Sequence, residues 1–265
     1  MRVLVVMNFG ADPATPQRGR WVVDQVEALR DGGLDVDLFS FRPGKDQYLP
    51  ATRKIRRLLK RTSYDLVHAH YGLAGWCAHL AGADPLVVTF HGTDVRHRVV
   101  GRMSRALTRK IALVAGASKA LFEEEAGRPG LPLPEGRSAV LPCGADLSRF
   151  GPLDRGEAKR ELGLDPAVRY LFFPADPERP EKRSDRAREV AERSGAELLT
   201  GGGIEPEEMP LWMNAAHAVL VTSEYEGFGL ACLEALACDV PVLSTPVGIA
   251  PHALRGLERS LCLGF

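Results

Sequence analysis

Glu226 and Glu234, with seven residues between them, enclose the turn Gly227-Phe228-Gly229. Carboxylates placed before and after such a turn can grip a molecule that carries both hydroxyls and phosphates. Their oxygens accept hydrogen bonds from sugar hydroxyls, glycines admit close backbone approach, and the free N–H groups that open a helix attract anions. The run Ala218–Thr222 before them reads as a strand, and Leu230–Ala237 after them as a helix. Glu234 sits among Leu233, Ala235, Leu236 and Ala237, on a helix too apolar to be simply exposed. A carboxylate there is expected to have a dedicated partner. Ordinary loop and helix-surface carboxylates are the plainer alternative.

Other residues with chemical potential fall at the ends of predicted elements. His91-Gly92-Thr93-Asp94 directly follows the strand Leu86–Phe90, and open parallel sheets bind ligands at the carboxyl ends of their strands. His91 could hydrogen-bond a substrate hydroxyl or stabilise developing charge. Equally, the four residues could be a turn in which Asp94 caps the next helix. Arg179 and Lys182 follow the strand Tyr170–Phe173 and could clamp a diphosphate, or belong to a solvated charge run. Gly19 precedes the helix from Trp21, where a phosphate can meet a helix N-terminus.

Short apolar runs alternate with helix-like stretches along all 265 residues. Strands are expected at 3–7, 36–39, 66–69, 86–90, 113–117 and 139–141, and helices near 21–30, 53–61, 73–81, 103–110 and 119–125. The pattern restarts after residue 152 with strands at 170–173, 197–200, 218–222 and 240–244, and ends in an apolar stop at 261–265. Such alternation specifies parallel sheets covered by helices. Two doubly wound α/β domains are expected, 1–150 and 151–265, the second incomplete and the chain truncated. Residues 1–150 carry 22 Lys+Arg against 15 Asp+Glu, net +7, and residues 151–265 carry 12 against 19, net −7. The basic half, with six cations among the nine residues 53–61, raises the expectation of peripheral contact with an anionic membrane; two solvated surfaces of opposite sign are the alternative. No nucleic-acid partner is expected. Five scattered cysteines without a C-x-x-C pair point to a reducing, cytoplasmic compartment. Neither G-x-G-x-x-G after the first strand, nor a P-loop, nor H-E-x-x-H occurs, so a dinucleotide oxidoreductase, an NTPase or a zinc enzyme finds little support.

Taken together, the motifs resemble the retaining glycosyltransferases of family 4. Residues 223–242 match that family's E-x7-E segment, 90–94 its H-G-[ST]-D segment, 141–150 its hinge, and 177–182 a variant of its phosphate-clamp loop. The resemblance implies a GT-B fold, two Rossmann-like domains facing a cleft. It implies transfer of a sugar from a nucleotide-sugar donor to a glycan, lipid-linked or small-molecule acceptor with retention of configuration, without a metal or other cofactor. By the same resemblance, Glu234 would bind the ribose and Glu226 the donor sugar, with Gly227, Phe228 and Gly229 beside it. Arg179 and Lys182 would neutralise the leaving diphosphate, Gly19 would let the first loop approach it, and His91 would sit beside the transferred sugar. Acceptor choice would lie in segments 42–48 and 95–103. A Gly-Arg pair usual in the clamp loop is replaced by Asp176-Pro177. A nucleotide-sugar epimerase of similar architecture, or a non-catalytic nucleotide-sugar-binding protein, are the other readings.

Overall fold

The computed structural model describes residues 1–9, 19–124 and 127–264. The chain divides into two compact units, Met1–Cys143 and Gly144–Phe265, where the sequence reading places the boundary at 150.

The first unit is a six-stranded sheet, β1 (Arg2–Met7), β2 (Asp35–Ser40), β3 (Leu66–His70), β4 (Leu86–Phe90), β5 (Leu113–Gly116) and β6 (Ser138–Val140), in the order β2-β1-β3-β4-β5-β6. Every pairing in it is parallel. Val3, Val5 and Met7 of β1 pack with Val22 and Val26 of α1 (Arg20–Asp31), while Leu4 and Val6, equally buried, point to the other face. The helices α2 (Lys45–Arg61), α3 (Gly72–Ala81) and α5 (Arg98–Leu107) lie side by side, with the short α4 (Thr93–Arg96) between β4 and α5.

In the second unit α6 (Arg155–Glu161), β7 (Tyr170–Phe173), α7 (Ser184–Ser194), β8 (Glu197–Thr200), α8 (Met209–Ala215), β9 (Ala218–Val221), α9 (Leu230–Ala237), β10 (Val242–Ser244), α10 (Ala250–Ala253) and β11 (Leu261–Cys262) follow in turn. The sheet order is β11-β10-β9-β7-β8, again all parallel. Successive residues of β7 and β9 enter opposite cores: Phe172, Val219 and Val221 on one face, Leu171, Phe173 and Leu220 on the other. That two-sided burial explains why these strands read as unbroken apolar runs.

Three helix expectations differ from the structure. The helix read from Arg53 begins eight residues earlier, at Lys45, and runs through Pro50. Pro50 lies inside the helix, on an exposed face, and forfeits the bond to the Asp46 carbonyl. The helix read at 103–110 is shifted to Arg98–Leu107. The one read at 119–125 is a single 3-10 turn, Lys119–Phe122, with Glu125 outside the described residues. There Leu131 donates its N–H to the Leu121 carbonyl and turns the chain back. Segments 42–48 and 95–103, expected to be acceptor loops, are largely helical. No helix among the described residues is long and apolar enough to cross a membrane.

Candidate functional site

In both sheets the chain reverses direction of progression at one place, between β1 and β3 in the first unit and between β7 and β9 in the second. At such a switch point two loops leave in opposite directions and open a crevice. Of the site residues proposed from the sequence, Gly19 follows β1, Arg179 and Lys182 follow β7, and Glu226, Gly227, Phe228 and Gly229 follow β9; His91 follows β4, and Glu234 lies on the helix after β9.

In the second unit the loops after β7 and β9 are knitted together. Glu224 donates its N–H to the Glu181 carbonyl at 2.9 Å, and the Thr222 hydroxyl donates to the carbonyls of Lys182 and Arg183. This places Lys182 Nζ 2.5 Å from Glu226 Oε1, with 15% and 14% of the two side chains exposed. The Ser223 hydroxyl donates to the same oxygen at 2.7 Å. Arg183 adopts a left-handed φ of 55° and links Asp185 to Glu224, a backbone strain that the surrounding bonds must hold in place. Arg179 does not join this group; its guanidinium pairs with Glu181 at 2.7 Å and its side chain is 51% exposed.

The Gly227-Phe228-Gly229 turn leads into α9 through Gly229, whose φ of 90° favours glycine. Phe228 is buried, and its carbonyl accepts from Ile249 N–H at 2.7 Å. A Cβ on Gly248 would lie 2.2 Å from that carbonyl, so the loop after β10 supports the turn by an approach only glycine permits. Glu234, on the second turn of α9, is buried among the apolar residues of that helix.

In the first unit His91 closes a column of three histidines. His68 and His70 occupy alternate positions of β3 and their rings lie 4.3 Å apart. His68 Nε2 is 2.7 Å from the Thr89 hydroxyl, and His70 Nδ1 is 3.0 Å from His91 Nε2. Burial lowers the pKa of His91 to about 3 and that of His68 to about 4, and holds His70 well below its ordinary value. The imidazoles are therefore neutral at physiological pH, and His91 can act as a hydrogen-bonding group rather than a cation. Phe9 and Trp21 flank it, the Trp21 ring 5.7 Å and the Phe9 ring 6.4 Å away, and Tyr71 packs edge-on against Phe9 at 5.6 Å.

Asp94 fixes the loop that carries His91. Fully buried, it accepts from the N–H groups of His91, Gly92 and Gly72 at 2.9, 3.0 and 2.9 Å. Burial raises its pKa to about 6, against the pull of those three donors. It thus ties the start of α3 to the loop after β4 and is not the expected cap: it lies inside α4, and His97 caps α5. Gly19 begins α1 with φ 81°, and a Cβ there would lie 2.5 Å from Phe9 Cβ.

His68, His70, Ser223 and Asp94 in this tying role are not apparent from the motifs. The paired histidines of Leu66-Val67-His68-Ala69-His70 were the available signal, since alternate residues of a strand share a face. Among the described residues no group of three or more His, Cys, Asp or Glu side chains could hold a metal ion.

Two family models match: Glycosyltransferase Family 4 over residues 35–149 and Glycosyl transferases group 1 over residues 180–262. A D-inositol 3-phosphate glycosyltransferase of Actinosynnema mirum is 32% identical over 250 residues, covering 72% of this chain and 58% of that protein. The chain spans 54–60% of the length of the first such relatives. Among solved structures, sucrose-phosphate synthase from Thermosynechococcus elongatus has a TM-score of 0.73 at 18% identity, covering 99% of this chain and 86% of its own. The Anabaena protein HepE in complex with UDP has a TM-score of 0.65 at 18% identity, covering 99% and 85%. These structural likenesses bear on the fold.

Proposed function

The chain belongs to the family 4 glycosyltransferases, and from that premise we propose that it transfers a sugar from a nucleotide-sugar donor to a hydroxylated acceptor with retention of configuration. The observation that carries this reading is the Lys182–Glu226 pair, one cation and one carboxylate held at the switch point of the second sheet. A nucleotide sugar presents the complement of each: a diphosphate for the ammonium, sugar hydroxyls for the carboxylate.

In the proposed complex Lys182 and the N–H groups opening α9 meet the diphosphate, Glu226 the sugar hydroxyls and Glu234 the ribose. Arg179 reaches the diphosphate only by leaving Glu181. The acceptor hydroxyl attacks the anomeric carbon from the side on which the C–O bond to the diphosphate breaks. The bonding pair leaves with the diphosphate, and the acceptor proton passes to the departing phosphate oxygen. Charge builds on the leaving group, so its neutralisation is the largest contribution asked of the protein. Neutral His91 hydrogen-bonds the sugar or acceptor, and Gly19 lets the first loop approach the diphosphate. No metal or other cofactor enters this scheme. Five free thiols suit a reducing compartment, and on that ground we place the chain in the cytoplasm. The relatives act, by their name, on D-inositol 3-phosphate, so a small anionic polyol is the first acceptor to try, ahead of glycans and lipid-linked sugars.

The test is a thermal-shift screen of UDP-, ADP- and GDP-sugars followed by a transfer assay, with Glu226→Ala and Lys182→Ala alongside. A donor-specific rise in melting temperature and transfer lost in both variants are expected. Variants that match the unchanged protein would refute the site. Epimerisation of the free nucleotide sugar, or donor binding without turnover, would refute the transferase reading.

A further inference from the structure

The helical layer α2–α3–α5 of the first unit carries almost no negative charge. No Asp or Glu occurs in 47–64, 66–83 or 95–122, which together contain all of α3, all of α5 and most of α2. The cations there are numerous and outward. Arg53, Lys54, Arg57, Lys60 and Arg61 are exposed along α2, and Arg98 and Arg102 along α5, with Arg109 and Lys110 just beyond its end. None of these nine side chains has an ion-pair or hydrogen-bond partner among the described residues. By contrast, in the same unit Arg2 pairs with Asp35 and Asp37, and Arg20 with Asp24.

Exposed apolar side chains share the layer. Val99 is 60% and Met103 41% exposed, at the same face of α5 as Arg98 and Arg102; Leu80 at the end of α3 is 58% exposed. Val99, Met103, Arg98 and Arg102 line a shallow groove against Trp76 of α3. The Trp76 indole N–H donates to the Met103 carbonyl at 3.0 Å, which holds the ring in the groove floor. Tryptophan at the boundary, apolar residues beside it and arginines around them are the composition of a surface that settles into lipid headgroups.

From this juxtaposition we infer that the α2–α3–α5 face docks on an anionic phospholipid bilayer, α5 entering the headgroup region with Val99 and Met103 while Arg98 and Arg102 meet lipid phosphates. Charge complementarity argues for an anionic partner, and the apolar residues select a bilayer over a nucleic acid, whose phosphates offer Val99 and Met103 nothing to bury. The α2 cations add long-range attraction that weakens as salt rises. None of Lys182, Glu226 and His91 belongs to this surface, so the inference stands independently of the proposed transfer reaction.

Co-sedimentation of the 265-residue chain with phosphatidylcholine vesicles, with and without phosphatidylglycerol, tests it. Binding to the anionic vesicles alone, lost at high salt, is expected. Arg98→Ala/Arg102→Ala should lower the partition coefficient about 25-fold, taking roughly 5-fold for each arginine near the surface. Val99→Ser/Met103→Ser should lower it about 10-fold through lost apolar insertion, with melting temperature and nucleotide-sugar binding unchanged in both. Absence of binding to anionic vesicles at low salt would overturn the inference. So would an apolar variant that binds as before while duplex DNA displaces the vesicles, an outcome that assigns the surface to nucleic acid instead.

Discussion

Lys182 and Glu226 neutralise each other at 2.5 Å when no ligand intervenes, so each competes with the other's proposed ligand. Replacing Glu226 by Gln keeps the shape and removes the charge. A charge-assisted hydrogen bond contributes about 1.5–3 kcal/mol. The side chains here retain 15% and 14% exposure, and Ser223 remains as a partner for residue 226, which puts the coupling near the lower end, about 1.5 kcal/mol, or roughly 10-fold in an equilibrium constant. Urea unfolding of Lys182→Met, Glu226→Gln and the double variant should return that coupling as the non-additive part of the cycle. The ligand consequence is sharper. A free nucleoside diphosphate lacks the sugar that Glu226 would hold, so in Glu226→Gln it gains a released lysine and loses nothing. Calorimetry should show it binding about 10-fold tighter than to the unchanged protein, whereas the nucleotide sugar should gain less or lose affinity. A nucleoside diphosphate that binds Glu226→Gln no more tightly, or a coupling within about 0.3 kcal/mol of zero, would refute the argument.

Asp94→Ala leaves three buried N–H donors without their acceptor and should destabilise the first unit by about 3–5 kcal/mol in urea melts, from roughly 1–3 kcal/mol per orphaned group with partial relaxation. Gly19→Ala combines a left-handed φ with a 2.5 Å approach to Phe9; a loss of at least about 1–2 kcal/mol follows from the backbone alone, measured the same way. The histidine column makes stability pH-dependent. With folded-state pKa values of about 3 for His91 and about 4 for His68, below the ordinary 6.5, the unfolded chain binds more protons between those limits. Stability from these groups is therefore present above about pH 6.5 and lost as pH falls toward 4, at up to about 1.4 kcal/mol per pH unit for each histidine. Asp94, raised to about 6, acts in the opposite sense below that pH. A His68→Gln variant that kept the full acid slope in thermal melts would contradict the assignment. Gly248→Ala should shift the Phe228 carbonyl and lower donor affinity in the thermal-shift screen.

Much of the architecture was legible because it is local. Short apolar runs and helical periodicities, with loops of turn-forming residues between, record burial on one or both faces of each element. Glu226, Glu234 and the glycine turn were legible for the same reason, lying in one stretch of chain. The first turns of α2 escaped the reading, since the helix runs through Pro50, a residue that ordinarily ends or kinks one; Lys119–Phe122 was read as longer because helical composition was overruled by the chain reversal that follows.

The sequence by itself determined two parallel α/β units of opposite net charge and the residue types placed at their strand ends. Only the tertiary structure decided which of those residues meet. Lys182, not Arg179, reaches Glu226 across 44 residues because β7 and β9 are neighbours in the sheet. His68, His70 and His91 form one neutral column because β3 lies beside β4 and burial removes the water that would favour their charge. Basic segments of α2 and α5, unremarkable apart, become one acid-free surface because α3 packs between them. Strand order and helix packing sum weak contacts over distant stretches of chain, and no local spacing records that sum.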